Sequence, residues 1–138
     1  FGLWQAREFA GARIDNEPGA MCWCEVAVPD ALQGVSFYGT VFGLDGQRMD
    51  DPGMTYYTLH QGGTTDATAV AGVLQMDAAW EGIPPHWMPY FAVADLEAAN
   101  EIFTRHGGTL MYGPIPSPYG RIMVVKDAQG AVLSYMAS

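Results

Sequence analysis

The feature that most constrains this chain is a repeat. Setting Asp95 over Asp30 also superposes Phe91-Ala92-Val93 on Val26-Ala27-Val28, Ile102-Phe103 on Phe37-Tyr38 and Gly108 on Gly43, all at one offset. One offset that fits a strand-like triplet, a helix cap, an aromatic helix end and a glycine stop indicates duplication of a β-then-α unit. A chain of 138 residues has the size of one domain, so the copies are half-domains that share a core, and each alone would be marginal.

The second copy is the better signalled. Tyr90-Phe91-Ala92-Val93-Ala94 is β-branched, aromatic or small and reads as a strand. Asp95 can cap the helix that follows, Glu97 sits where the macrodipole favours an anion, and Leu96, Ala99, Ile102 and Phe103 recur at helical spacing. Glu97 with Glu101 repels at i,i+4, Glu101 with Arg105 attracts, and Gly107-Gly108 supplies the positive-φ stop. In the first copy MCWCEVAV, residues 21–28, is the strand. Asp30 caps a helix whose inner face is Ala31, Val35, Tyr38 and Phe42, and Gly34 and Gly39 each cost that helix about 1 kcal/mol relative to Ala.

The remaining pieces complete each copy as β-α-β-β-β. After the first helix come three short extended runs, in LDGQRMDD, MTYYTLHQGG and AVAGVLQM. After the second come TLMYGPIPSPYG, GRIMVVKD and, past a turn at DAQG, AVLSYMA. Three prolines at every second position, 114 to 118, suit an edge or a flap rather than a central strand. The modules are residues 20–76 and 88–138, and the linker 77–87 carries Trp80, paired prolines and Trp87. Phe1 to Gln5 reads as a further strand, and residues 6–19 as a connector with room for one short helical turn. A chain that opens on FGLWQ rather than Met is read as a processed or truncated product.

Charge and composition exclude several partners. A net charge of −9 with six scattered basic residues repels phosphate backbones, so nucleic acid and anionic membrane surfaces are not expected. No apolar run approaches the roughly 18 residues of a membrane span and no signal segment opens the chain, so a soluble, cytoplasmic protein is expected. Cys22 and Cys24 lie two apart on one face of a strand, badly placed to bridge each other, and read as buried free thiols.

Paired β-α-β-β-β modules with an Asp-capped helix, an FY-x-x-V-F-G helix end and a closing D-x-x-G hairpin resemble the vicinal oxygen chelate superfamily of glyoxalase I, bleomycin resistance proteins and extradiol dioxygenases. The resemblance covers residues 20–138. NEPG, PPHW, YFAV and PYGR look most like the second domain of tandem glyoxalase-like proteins of actinobacteria, in which a G-L-W-Q segment ends the first domain. It implies an α+β fold in which two modules form an incomplete barrel around a central cleft, with the helices outside. In such proteins the cleft holds a divalent metal on ligands from the first and last strands of each module. Those positions correspond here to Trp23, Met88, a residue near Gly72, and Ser134. None is His, Glu or Gln, so no metal and no other cofactor is expected.

Alternation places Trp23, Glu25 and Ala27 on the face that the resemblance turns to the cleft. Glu25 could bind an amine, act as a base, ligate a displaced metal or form an ion pair with Arg121, and the ion pair is the preferred reading. His60 and His86 are read as surface residues that could join Glu25 in a rebuilt metal site, and His106 as a helix-end residue. The aromatic and Met content, Trp23, Tyr56 or Tyr57, Trp80, Trp87, Tyr90, Tyr119 and Tyr135 with Met88, Met111 and Met123, exceeds what one small core needs. It suits a wall for a planar, largely apolar ligand.

The expected function is therefore metal-independent binding of a small molecule, for sequestration or sensing. The expected ligand-binding residues are Trp23, Glu25, Tyr57, Trp87, Met88, Tyr90, Tyr119, Arg121 and Ser134, with no catalytic residue assigned. The alternatives are a metal-dependent lyase or dioxygenase of glyoxalase type, and a non-catalytic structural domain. The apolar FGLWQ edge leads to the expectation of a homodimer, in which it pairs with another chain's sheet.

Overall fold

The computed structural model describes residues 1–138, which divide into two compact units: Cys24–Met88, and Phe1–Trp23 with Pro89–Ser138. Each follows the β-α-β-β-β order with its strands in an open sheet. The α+β architecture of two repeated modules is as expected from the repeat.

The first unit is built on most of β1 (Met21–Val28), then α1 (Ala31–Phe42), β2 (Asp45–Arg48), β3 (Tyr56–His60) and β4 (Ala69–Gln75), with strands in the order β2-β3-β4-β1. β1 and β4 are parallel, with Glu25 opposite Gly72, and the other pairs are antiparallel. Asp30 caps α1 by accepting from the Gln33 N–H at 3.0 Å, and Gly43 ends it at φ 66°. α1 carries no charged residue, so its stability comes from packing. Ala31 and Tyr38 are buried with Val26, Leu59, Ala71 and Val73. Gly34 allows that closeness, because a Cβ there would lie 3.0 Å from Val73 and 3.1 Å from Val28. Phe42 stacks on Tyr38 but stays partly exposed.

The second unit contains most of β5 (His86–Ala92), then α2 (Leu96–Arg105), β6 (Thr109–Ser117), β7 (Gly120–Lys126) and β8 (Val132–Ala137), in the order β5-β8-β7-β6. Asp95 caps α2 through the Ala98 N–H at 2.7 Å, and Arg105 holds Glu101 at 2.7 Å. Leu96, Ala99 and Phe103 pack on Met123, Val125 and Tyr135. Ile102 does not join them: about 100° round the helix from Phe103, it is 56% exposed. Phe103 lies over Gly108, where any Cβ would meet its ring, and Gly107 takes φ 92°. The proline-rich β6 is an end strand with two register shifts, as its composition predicts.

Three expectations are corrected. Phe1 to Gln5 form no strand and residues 6–19 no helical turn: coil and bends, almost all exposed, run to a tight turn at Pro18-Gly19 that the Ala20 N–H closes on the Glu17 carbonyl at 2.8 Å, with Gly19 at φ 92°. An apolar run becomes a strand only where a ladder partner accepts its backbone; here the Asn16 N–H donates to the Met21 carbonyl at 3.2 Å, Gly19 and Ala20 bond Ala92 at 2.8 and 2.9 Å, and the first strand starts at Met21. The linker ends earlier than 87, because His86 and Trp87 already belong to β5. Finally, His60 is 2% exposed rather than a surface residue, because the 65–68 turn folds over its ring. No helix is long and apolar enough to cross a membrane.

Candidate functional site

In the Cys24–Met88 unit, Val26, Leu59, Ala71 and Val73 face α1. Alternation therefore puts Glu25, Tyr56, Thr58 and Gly72 on the opposite face. Glu25 is 8% exposed, and its Oε2 accepts from the Tyr56 hydroxyl at 2.8 Å. The phenol lies across Gly72, where a Cβ would overlap its hydroxyl and come within 3.0 Å of the Glu25 Cβ. Tyr56 thus fills the space that a side chain at position 72 would need. The same face continues to His60, whose Nε2 lies 2.7 Å from the Thr58 hydroxyl and whose Nδ1 faces the Thr65 carbonyl at 3.2 Å and the Thr68 hydroxyl at 3.1 Å.

Where β3 begins and β4 ends, next to Tyr56, an open hollow of about 470 Å³ is lined by Arg48, Met54, Leu74, Gln75, Asp77 and Trp80, among others. Tyr56 and Leu74 are direct cross-strand partners. Trp80 sits on a 3-10 turn that Asp77 caps through the Ala79 N–H at 2.8 Å. Its ring lies 5.9 Å from that of His86, whose Nδ1 engages the Pro84 carbonyl at 2.8 Å.

The expected ligand residues separate when placed. Tyr57 packs on the α1 side and Tyr56 meets Glu25, the reverse of the expected choice, because the register sets Tyr56 opposite Leu74. Trp87 also packs toward α1, its Nε1 donating to the Tyr38 hydroxyl at 3.2 Å with ring centroids 5.2 Å apart. Met88 is buried, and Trp23 half-buried. In the other unit Tyr90 stands opposite Ser134, repeating the Glu25–Gly72 relationship. Ser134 is fully buried, with no partner for its hydroxyl. Tyr119 is exposed at the β6–β7 turn. Arg121 does not reach for Glu25: its two terminal nitrogens fork onto Glu97 at 2.6 and 2.9 Å on the exposed side of α2. Alternation puts Arg121 on the same side of β7 as Met123 and Val125, and that side faces α2.

The thiols are spent on structure. Cys22 donates to the Tyr90 carbonyl at 3.5 Å and Cys24 to the Val70 carbonyl at 3.8 Å. Burial raises both above the usual thiol range, and the negative charge of Glu25 adds to the shift at Cys24. The divalent cation that the resemblance implies does not fit the residues present. Nowhere do three of His, Cys, Asp and Glu gather to hold a metal ion, the place beside Gly72 is filled by Tyr56, and both ring nitrogens of His60 are engaged by threonines. The Glu25–Tyr56 bond escaped the sequence reading, although a glycine inside a strand signals close approach of another group.

Residues 20–135 match the family described as Glyoxalase/Bleomycin resistance protein/Dioxygenase superfamily. A Mycobacterium tuberculosis protein named "Putative glyoxylase CFP32" is 36% identical over 137 residues, covering 98% of this chain and 50% of its own. The anthracycline biosynthesis protein DnrV of Streptomyces peucetius is 28% identical over 134 residues, 97% of this chain and 47% of its own. The chain thus spans about half the length of the curated relatives it matches. Among solved structures, a Streptomyces coelicolor methylmalonyl-CoA epimerase in complex with 2-nitronate-propionyl-CoA superposes with a TM-score of 0.60 at 21% identity, over 86% of this chain and 96% of that one. An identity that low speaks to the fold alone. With the repeated modules in place and most of its length matched, the chain belongs to the Glyoxalase/Bleomycin resistance protein/Dioxygenase superfamily.

Proposed function

We propose that this chain is a metal-independent binding module for a small, planar, largely apolar molecule. The observation that carries the reading is the Tyr56 phenol lying across Gly72 and hydrogen-bonded to buried Glu25. A protein side chain thereby occupies the place where a metal-ligating side chain would extend, so affinity has to come from apolar area and a few polar groups. The hollow beside Tyr56 offers both: Trp80, Leu74 and Met54 for a flat surface, and Arg48, Gln75 and Asp77 for polar ends. Its volume of about 470 Å³ lies in the small-molecule range. Two relatives are named for anthracycline biosynthesis, and a fused-ring aromatic of that kind is the flat ligand Trp80 would stack on. The metal-dependent lyase or dioxygenase reading would need donors beyond Glu25 that neither His60 nor His86 supplies.

The test is titration with a panel of planar heteroaromatics, reading Trp fluorescence and melting temperature together. Binding by at least one member is expected, weakened roughly threefold to tenfold by Trp80→Ala, as loss of one aromatic contact implies. A panel that moves neither signal would defeat the binding reading. About one Zn, Ni, Mn or Fe per chain in protein purified without chelator would return the metal-dependent reading to first place.

A further inference from the structure

We propose that residues 77–85 form a strap that opens and closes beside the hollow as one unit, with Trp80 as its latch; that it regulates a ligand rests on the binding function proposed above. Both ends of the segment are fixed. The Met76 N–H donates to the Val28 carbonyl at 2.8 Å, and β5 begins at His86. Between these anchors the backbone bonds close within the segment itself: the Trp80 N–H on the Asp77 carbonyl at 3.1 Å, Glu81 on Ala78 at 3.4 Å and Ile83 on Trp80 at 2.9 Å. Glu81 at φ −55° and ψ 128°, followed by Gly82 at φ 82°, makes Trp80 to Ile83 a type II turn. The 3-10 turn Ala78–Trp80 and this β-turn share Trp80, so loosening one frees the residue on which the other is built.

Side chains tie the segment down at one point. Every residue from Asp77 to Pro85 is exposed except Trp80, which is half-buried. Even the apolar Ile83 stays in solvent. The Trp80 ring lines the hollow with Met54 and Leu74, and it meets the His86 ring at 5.9 Å with the planes 39° apart. His86 also holds the far end of the strap, through Nδ1 on the Pro84 carbonyl at 2.8 Å. A stretch whose backbone bonds are local and solvent-exposed, and which buries part of one aromatic, opens at a far lower free energy than the sheet it spans.

The closed strap contributes Trp80 to the hollow, whereas Met54, Leu74 and Gln75 come from the ends of the strands beside it. A flat molecule lying there touches both sets when the strap is closed and only the second when it is open. Its binding therefore shifts the population toward the closed strap, and its apparent affinity falls with the fraction of chains in which the strap stands open. The Asp77 cap on the Ala79 N–H and the His86 ring both favour closure. They act as positioning residues, reaching the ligand through Trp80.

Amide exchange followed by NMR tests this, with acridone as the planar probe. In the parent, the Trp80, Glu81 and Ile83 amides should share one protection, about a hundredfold or more below that of Val73 in β4. Asp77→Ala should speed all three by one common factor of roughly threefold to tenfold, as loss of a cap implies, although the Asp77 side chain makes no bond to Glu81 or Ile83. His86→Ala should do the same, and Asp77→Asn, which keeps a capping oxygen, should stay within about twofold of the parent. Unchanged exchange at Val73 shows that the variants fold. Acridone should slow the three amides in the parent and not in Trp80→Ala. An effect of Asp77→Ala confined to Ala79 and Trp80, or a strap that exchanges as slowly as Val73, would overturn the proposal. A common factor that neither acridone nor any other member of the planar panel slows would uphold the strap and sink the binding function.

Discussion

The hydroxyl of Tyr56 donates to the buried carboxylate of Glu25 at 2.8 Å, joining β3 to β1 across the intervening β4. A charge-assisted bond of this kind contributes about 1.5–3 kcal/mol, more than an ordinary one, because the carboxylate has left water. Tyr56→Phe keeps the ring and removes only the donor. It should therefore destabilise the fold by about that amount in urea unfolding, with an unchanged m-value. A loss below about 0.5 kcal/mol would mean that the bond is not what supports Glu25.

The Arg121 fork holds the Glu97 carboxyl below its ordinary value of 4.5, with a further contribution from a backbone hydrogen bond. A carboxyl whose folded pKa is depressed favours the folded state above its unfolded pKa, and that benefit is lost as pH falls through the folded value. Both partners are exposed, so the effect is small and screened by salt. Glu97→Gln should lower the melting temperature slightly at pH 7 in low salt, and the gap to the parent should close below pH 4.5 or in 1 M salt. A gap of equal size at pH 7 and pH 2 would exclude this account.

Burial pushes the Tyr135 phenol up to about 12 from 10.0, with the Phe103 ring edge-on at 5.3 Å. The folded state then keeps a proton that the unfolded chain releases, so this contribution is fully present below pH 10 and lost between pH 10 and about 12. Stability should fall more steeply across that window in the parent than in Tyr135→Phe. Identical slopes would show that Tyr135 ionises as freely as an exposed tyrosine.

What the sequence disclosed follows the range of each interaction. Both helix caps were legible because Asp30 and Asp95 act on N–H groups three residues away, and the repeat made each confirm the other. The glycine stops and the proline-rich edge were legible for the same reason. The partners of Glu25 and Arg121 were not, since each depends on a strand register that alternation alone does not fix. Both residues found partners other than each other. His60 was misread because its Gly-rich neighbours suggest a surface turn, whereas the Thr65 to Thr68 turn closes over the ring. Trp87 looked like a wall for a ligand, but its ring and its N–H are both used on Tyr38.

Gly72 packs against Tyr56 as tightly as any glycine in the chain packs on a neighbour. A methyl group there would overlap the phenol and press on the Glu25 Cβ. Gly72 lies in β4, with β1 on one side and β3 on the other, so the backbone has little freedom to yield. Gly72→Ala should therefore cost about 1–3 kcal/mol through overpacking. The same change in a Tyr56→Ala background loses the overlap with the phenol and keeps only the 3.0 Å approach to the Glu25 Cβ, so alanine should cost clearly less there. A double-mutant cycle should return a coupling of about 0.5–3 kcal/mol between the two positions. Additive costs would mean that the phenol does not lie across Gly72 in solution. The space beside Glu25 would then be open to a side chain, a ligand or a metal.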